Sequence, residues 1–251
     1  MNDHKKYAKY ALTAVIPALI TALVYLASLD NGFVNWDDNL YVYDNPGIRA
    51  IDRGFFKAFV SSAFLNNWTP LTMFTYGLDY AVWGLDPFGY HLTNLIFHVA
   101  NTFVVGYLSS VIVAIAVGHD ARGREDLPAF AGLFAAMLFG LHPAHVESVA
   151  WVSERKDVVS GLFFLISILF YVRYSAGEGS RKKLNYALSL ISFILSIAGK
   201  PMAVTLPAVL LIIDFWPLRR FQGRLQGRLG IVKVAVLEKL PFFALSAVAA
   251  I

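Results

Sequence analysis

The stretch His91–Val117, HLTNLIFHVANTFVVGYLSSVIVAIAV, decides what kind of molecule this is. It carries no Asp, Glu, Lys or Arg and is long enough to cross about 30 Å of hydrocarbon as a helix, which takes about 20 residues. Its polar residues are not scattered. At about 100° per residue, His91, Asn94, His98, Asn101 and Thr102 fall within about a third of the circumference. A polar stripe on a helix in lipid must face other protein or a water-filled cavity. The bland alternative is hydrogen bonding between helices. Histidines near one end favour a cavity.

Working outward, the composition agrees with a membrane protein. The chain has 251 residues, of which 57% are hydrophobic and 15% charged, and it has no cysteine. A soluble domain is about 45–50% apolar and about 25% charged. Disulfides and thiolate metal sites are excluded. Further apolar runs span Ala11–Leu29, Leu127–Leu141, Val158–Tyr174, Leu184–Ala198 and Pro201–Trp216, with a seventh begun over residues 234–251. Lys5, Lys6 and Lys9 precede the first run. It has no small-residue cleavage site, so it reads as an uncleaved first span. The apolar run from Leu240 to Ile251 is too short to cross, and the sequence reads as the front part of a longer chain. The expected fold class is all-α, a polytopic transmembrane helical bundle with one large outer loop.

Charge placement gives an orientation. With the N-terminus in the cytoplasm, fifteen of the 21 lysines and arginines fall on the cytoplasmic side and six on the other. That is the positive-inside bias, and it accounts for the net charge of +4 without nucleic acid. Ten of the 17 acidic residues fall outside, including Asp37, Asp38, Glu147 and Asp157.

The first outer loop, Asp30–Tyr90, is too long for a tether and is expected to be functional. Asp44-Asn45-Pro46-Gly47 reads as a turn. A helix is predicted after Asp52, with Ile51, Phe55, Phe56, Phe59 and Ala63 on one face and Arg53, Lys57 and Ser61 on another. It suits either the membrane interface or packing on the rest of the loop. Trp36, Trp68 and Trp83 fit an aromatic belt.

Several polar groups demand partners. Asp37 and Asp38 are adjacent carboxylates just beyond the first span, either a solvated turn or a site of proton transfer. His142, His145 and Glu147 follow the third run. Their spacing is not that of a zinc helix, and no metal or other cofactor is expected. Arg155, Lys156 and Lys200 sit at outer span ends, against the positive-inside rule. Salt bridges would explain them, and so would a phosphate.

The strings FVNWDDNLYVYDNP, NWTPLT, GYHLTNLIFHVANT, LHPAHVESVAWVSERKDV and KPMAVTLPAVLLIIDFWPL, in this order from Phe33 to Leu218, resemble bacterial relatives of the TMTC family. Those are membrane proteins of the C-type glycosyltransferase (GT-C) architecture, usually followed by tetratricopeptide repeats, which this sequence lacks. The resemblance implies transfer of a sugar, mannose or similar, from a polyprenyl-phosphate donor to an acceptor hydroxyl outside the cytoplasm. Protein Ser/Thr is the expected acceptor, with a glycan as the alternative. The implied location is a bacterial inner membrane. Asp37 and Asp38 match the acidic pair that holds the family's catalytic base. Arg155, Lys156 and Lys200 are then candidates for the donor phosphate. His91, Asn94, His98, His142, His145, Glu147 and Asp157 are candidates for the cavity wall. Lys200-Pro201 stands where animal members show Lys-Glu, so one acid of the pattern is missing. A transporter or flippase, and a non-catalytic anchor for a repeat domain, are the rival readings.

Overall fold

A computed structural model describes residues 3–60, 68–118, 123–177, 180–221 and 235–250. Among these all regular secondary structure is helical, without a strand. The long helices are α1 (Asp3–Val24), α4 (Pro87–Val117), α5 (Leu127–Gly140), α7 (Arg155–Ala176) and α8 (Arg181–Gly199). Shorter ones are α2 (Arg53–Val60), α3 (Pro70–Trp83), α6 (Val146–Ala150), α9 (Leu206–Phe215) and α10 (Leu240–Ala249).

By length and hydropathy three segments can cross a membrane: Lys5–Asp30, Pro87–Val117 and Val152–Ala176. A fourth is the pair Leu127–Gly140 and Pro143–Ala150, bent by 51° at its break. His142-Pro143 supplies that break, because the residue before a proline is pushed out of the helical region. The structure lengthens the second predicted run at its start. Asp86 caps α4 by accepting from the Phe88 N–H at 3.0 Å, with Pro87 at the first helical position. The fifth and sixth predicted runs are α8, with Arg181, Lys182 and Lys183 in its first turn, and the shorter apolar stretch Pro201–Phe215.

Close approach of backbones holds α1, α4 and α5 together. A Cβ on Gly106 would sit 3.0 Å from Ala136 Cβ and 3.1 Å from Ala14 Cβ. One on Gly132 would collide with Ser110 Oγ, and one on Gly140 with Thr21 Oγ1. In lipid such small-residue seams replace the hydrophobic effect as the source of helix association. The α7–α8 seam is polar instead. Ser160 and Ser196 each donate to the other's carbonyl, at 2.9 and 2.8 Å. Ser167 and Ser189 do the same two turns along, at 2.8 and 2.9 Å.

An ion pair between Lys9 and Asp126 puts the starts of α1 and α5 at one end of the bundle. Hydrogen bonds from Ser153 to Asp38 join the first loop to the start of α7 at the other end. The loop has a core of Tyr41, Val42, Ile48, Phe55, Met73, Tyr76 and Tyr90, which Val152 from the segment before α7 completes. The predicted loop helix is α2, with Asp52 Oδ1 accepting from the Phe55 N–H at 2.9 Å. Phe55 is buried and Phe56 exposed. Phe59, Ser61 and Ala63 lie outside the described side chains.

Candidate active site

The segment Ser153–Asp157 organises this end of the bundle. Nearly every residue in it grips a different element. Ser153 donates to Asp38 Oδ1 through its N–H at 2.9 Å and its hydroxyl at 2.5 Å. Glu154 pairs with Lys156 at 2.9 Å and Lys200 at 3.5 Å. Asp157 pairs closely with Lys200 and accepts from Ser148 Oγ at 3.1 Å.

Arg155 is the buried centre, with no exposed side-chain surface. Its guanidinium meets Asp79 at 2.5 Å, Asn94 Oδ1 at 2.6 Å, the Tyr90 carbonyl at 2.8 Å and Thr75 Oγ1 at 3.2 Å. It also lies 4.5 Å from the centre of the Tyr76 ring. The fork of an arginine suits such multidirectional bonding. Arg155 therefore joins α3, α4 and α7 as a strut. It offers nothing to a donor phosphate, a correction to the sequence reading. Burial pushes the Asp79 carboxyl above its ordinary range, and Arg155 and Thr93 pull against this without cancelling it.

The adjacent carboxylates divide their roles. Asp38 is 1% exposed. Its Oδ1 takes both Ser153 bonds and its Oδ2 accepts from the Val34 N–H at 3.0 Å. Asp37 is half-buried. It has a φ of 60°, a left-handed conformation that is costly away from glycine and persists where the surroundings enforce it. Among the described residues no hydrogen bond or ion pair reaches its carboxylate. Before it stands Trp36, 71% exposed, whose carbonyl accepts from the Trp151 indole at 3.3 Å.

A cavity of about 430 Å³ opens beside this segment, with His98, Asn101, His145, Ser148, Asp157 and Lys200 in its wall. The His98 and His145 rings lie 5.5 Å apart, and His98 Nε2 is 3.0 Å from the Gly140 carbonyl. Lys200 stands at this cavity with its charge matched. Burial lowers its pKa, but Asp157 and Glu154 outweigh burial and hold the ammonium above its usual range.

The other predicted wall residues lie elsewhere. Asn94 is buried against the Val149 and Trp151 carbonyls and Arg155. His91 is buried with its ring against the Gly32 backbone, away from the cavity. His142 is exposed and accepts from the Ala144 N–H at 3.2 Å. Glu147 is exposed in the first turn of α6. Lys156 pairs with Glu154 and lies 5.5 Å from the Tyr41 ring centre. Among the described residues no group of three or more His, Asp or Glu could hold a metal ion. Asp79, Thr75 and Ser153 were not singled out from sequence. The one visible signal was Asp79, a lone carboxylate within the apolar helix Pro70–Trp83.

No family model matches the chain, and no solved structure matches it. Curated relatives do. The chain is 29% identical over 219 residues to Protein O-mannosyl-transferase tmtc2 of Xenopus laevis, covering 81% of this chain and 24% of that protein. It is 30% identical over 192 residues to Protein O-mannosyl-transferase Tmtc1 of Drosophila melanogaster, covering 73% and 20%. Human Protein O-mannosyl-transferase TMTC4 is 27% identical, with 80% and 29% covered. The chain thus spans about a quarter of the length of these relatives. With the polytopic helical fold and matches over most of its own length, the chain belongs to the TMTC-like family of membrane proteins.

Proposed function

We propose that this chain is part of a membrane glycosyltransferase. It moves a sugar, mannose or similar, from a polyprenyl-phosphate donor to a hydroxyl on the side away from the cytoplasm. Protein Ser/Thr is the acceptor, and a bacterial inner membrane is the location. One observation carries the reading: Ser153–Asp157 grips the acidic pair through Asp38 and the cavity lysine Lys200 through Glu154 and Asp157. A proton acceptor and a cation for a leaving phosphate are thereby built into one unit.

In the reaction the acceptor oxygen attacks the sugar's anomeric carbon and the bond from that carbon to the phosphate oxygen breaks. The acceptor proton passes to Asp37, whose carboxylate takes no hydrogen bond from the described residues, while Asp38 stays occupied by Ser153 and Val34. Proton removal by a positioned carboxylate contributes about 10²–10⁴-fold. Polyprenyl phosphate leaves with its charge met by Lys200, which gives up Asp157 for the phosphate, with Lys156 in support. Direct displacement inverts the anomeric centre.

The test is transfer of radiolabelled sugar from a polyprenyl-phosphate donor to an acceptor by the full-length protein in vesicles. Label on the acceptor is expected. Label that crosses the bilayer without reaching any acceptor identifies a flippase. No movement of label at all leaves the anchor reading.

A further inference from the structure

Among the described residues, one buried polar atom of the cavity wall has no hydrogen-bond partner. Asn101 is 2% exposed, and its Nδ2 donates to the Val158 carbonyl at 2.8 Å. A carbonyl can only accept, so the amide nitrogen must face Val158 and the Oδ1 must face away. That Oδ1 is buried and has no hydrogen-bond partner. Buried acceptors are nearly always satisfied, by protein, water or ligand. Gly161 neighbours that amide in the cavity wall, and it presents no side chain against Oδ1. A Cβ there would lie 3.7 Å from it, and both residues line the same space.

We infer that Asn101 Oδ1 is the acceptor for a hydroxyl of the transferred sugar, and that the cavity between α4 and α7 is the sugar subsite. Only a donor can satisfy a bare amide oxygen, so an anionic group is excluded at this point and a hydroxyl fits. The rest of the wall suits a polyhydroxylated ring. Lys200 donates, Asp157 accepts, Ser148 accepts while its own hydrogen is given to Asp157, and His145 does either according to its tautomer. The volume of about 430 Å³ lies within the about 300–1,000 Å³ of small-molecule sites. Lys200 at the same cavity leaves the ring beside the candidate phosphate cation. This rests on the transferase reading and adds to it the part of the site that recognises the sugar.

The experiment measures binding, not turnover, by the full-length protein in nanodiscs. The probes are polyprenyl-phosphate mannose, bare polyprenyl phosphate, and mannosyl donors that each lack one hydroxyl. Gly161→Ala covers Oδ1 with a methyl group in ordinary contact and improves helix propensity, so the fold is kept. Asn101→Leu removes the oxygen. Both should weaken mannosyl-donor binding about tenfold, the worth of one good hydrogen bond to a neutral group. Binding of bare polyprenyl phosphate should be unchanged, and one deoxy donor should bind wild type and variants alike. The inference is overturned if the variants weaken every probe equally or none. The selective pattern without any sugar transfer would keep the subsite and remove the transferase reading. Transfer with binding insensitive to both variants would do the reverse.

Discussion

The two ends of α7 hold contrasting solutions to the same problem of buried charge. At the far end, about 24 Å along the helix from Arg155, Tyr171, Asp214, Arg220, Glu238 and Lys239 form one network. Lys239 meets Asp214 and the Tyr171 hydroxyl, and its Nζ donates to the Ala235 carbonyl at 2.9 Å. Arg220 bridges Asp214 at 3.3 Å and Glu238 at 2.8 Å, and Tyr174 donates to Glu238 at 2.6 Å. Every charged group there has its counterpart, so the network closes on itself. At the Arg155 end the central pair is just as dry, yet the groups around it are left open. Among the described residues no hydrogen bond reaches the Asp37 carboxylate, Asn101 Oδ1 has no partner, and Lys200 borders a cavity. A saturated cluster holds helices together. A cluster with unsatisfied groups around a rigid strut has capacity for a ligand.

The largest effects should come from breaking each strut. Arg155→Leu leaves Asp79 without a cation, whereas Lys239→Leu leaves Asp214 with Arg220 at 3.3 Å and the Tyr171 hydroxyl at 2.8 Å. Removing one partner of a buried pair costs about 3–5 kcal/mol, so Arg155→Leu should lower the thermal midpoint in detergent strongly and Lys239→Leu by less. They should differ in turnover per folded molecule, which falls for Arg155→Leu and holds for Lys239→Leu. Equal turnover losses would erase the distinction between the ends.

Ser153→Ala should come next. It removes one hydrogen bond to a carboxylate, worth about 1.5–3 kcal/mol, while the Ser153 N–H still holds Asp38. A modest loss of stability with a larger loss of turnover is expected. Unchanged turnover would mean that placing Asp38 does not matter.

The smallest effect is alkaline. Lys200 has a folded pKa above its ordinary value because Asp157 and Glu154 outweigh burial. A raised pKa gives stability that is complete below the unfolded value, about 10.4, and lost as pH climbs through the folded one. The gap in thermal midpoint between wild type and Lys200→Gln should be constant from pH 7 to 9 and close above about pH 10.5. A gap that persists there would assign Lys200 a packing role.

What the sequence disclosed follows from what periodicity encodes. The apolar runs, the stripe on α4, the acidic pair and the loop helix were legible because each is local. The wiring was not. Arg155 and Asp79 are 76 residues apart, and a cation against the positive-inside rule reads the same whether it is a strut or a phosphate ligand. Only burial separates them, and it took Arg155 out of the phosphate set. His142 and Glu147 were grouped with His145 by proximity in the chain. The break at Pro143 turns the first two to the surface and leaves His145 at the cavity. Asn101 was visible in the stripe, but its orphaned oxygen depends on where Val158 falls.

The most direct measurement is the rate of sugar transfer by full-length Asp37→Asn and Asp38→Asn beside wild type. With Asp37 as the base, its asparagine variant should lose at least about 100-fold in kcat with donor KM nearly unchanged, while Asp38→Asn loses activity together with stability because its hydrogen bonds to Ser153 and Val34 weaken. Wild-type transfer rates in Asp37→Asn would contradict the account.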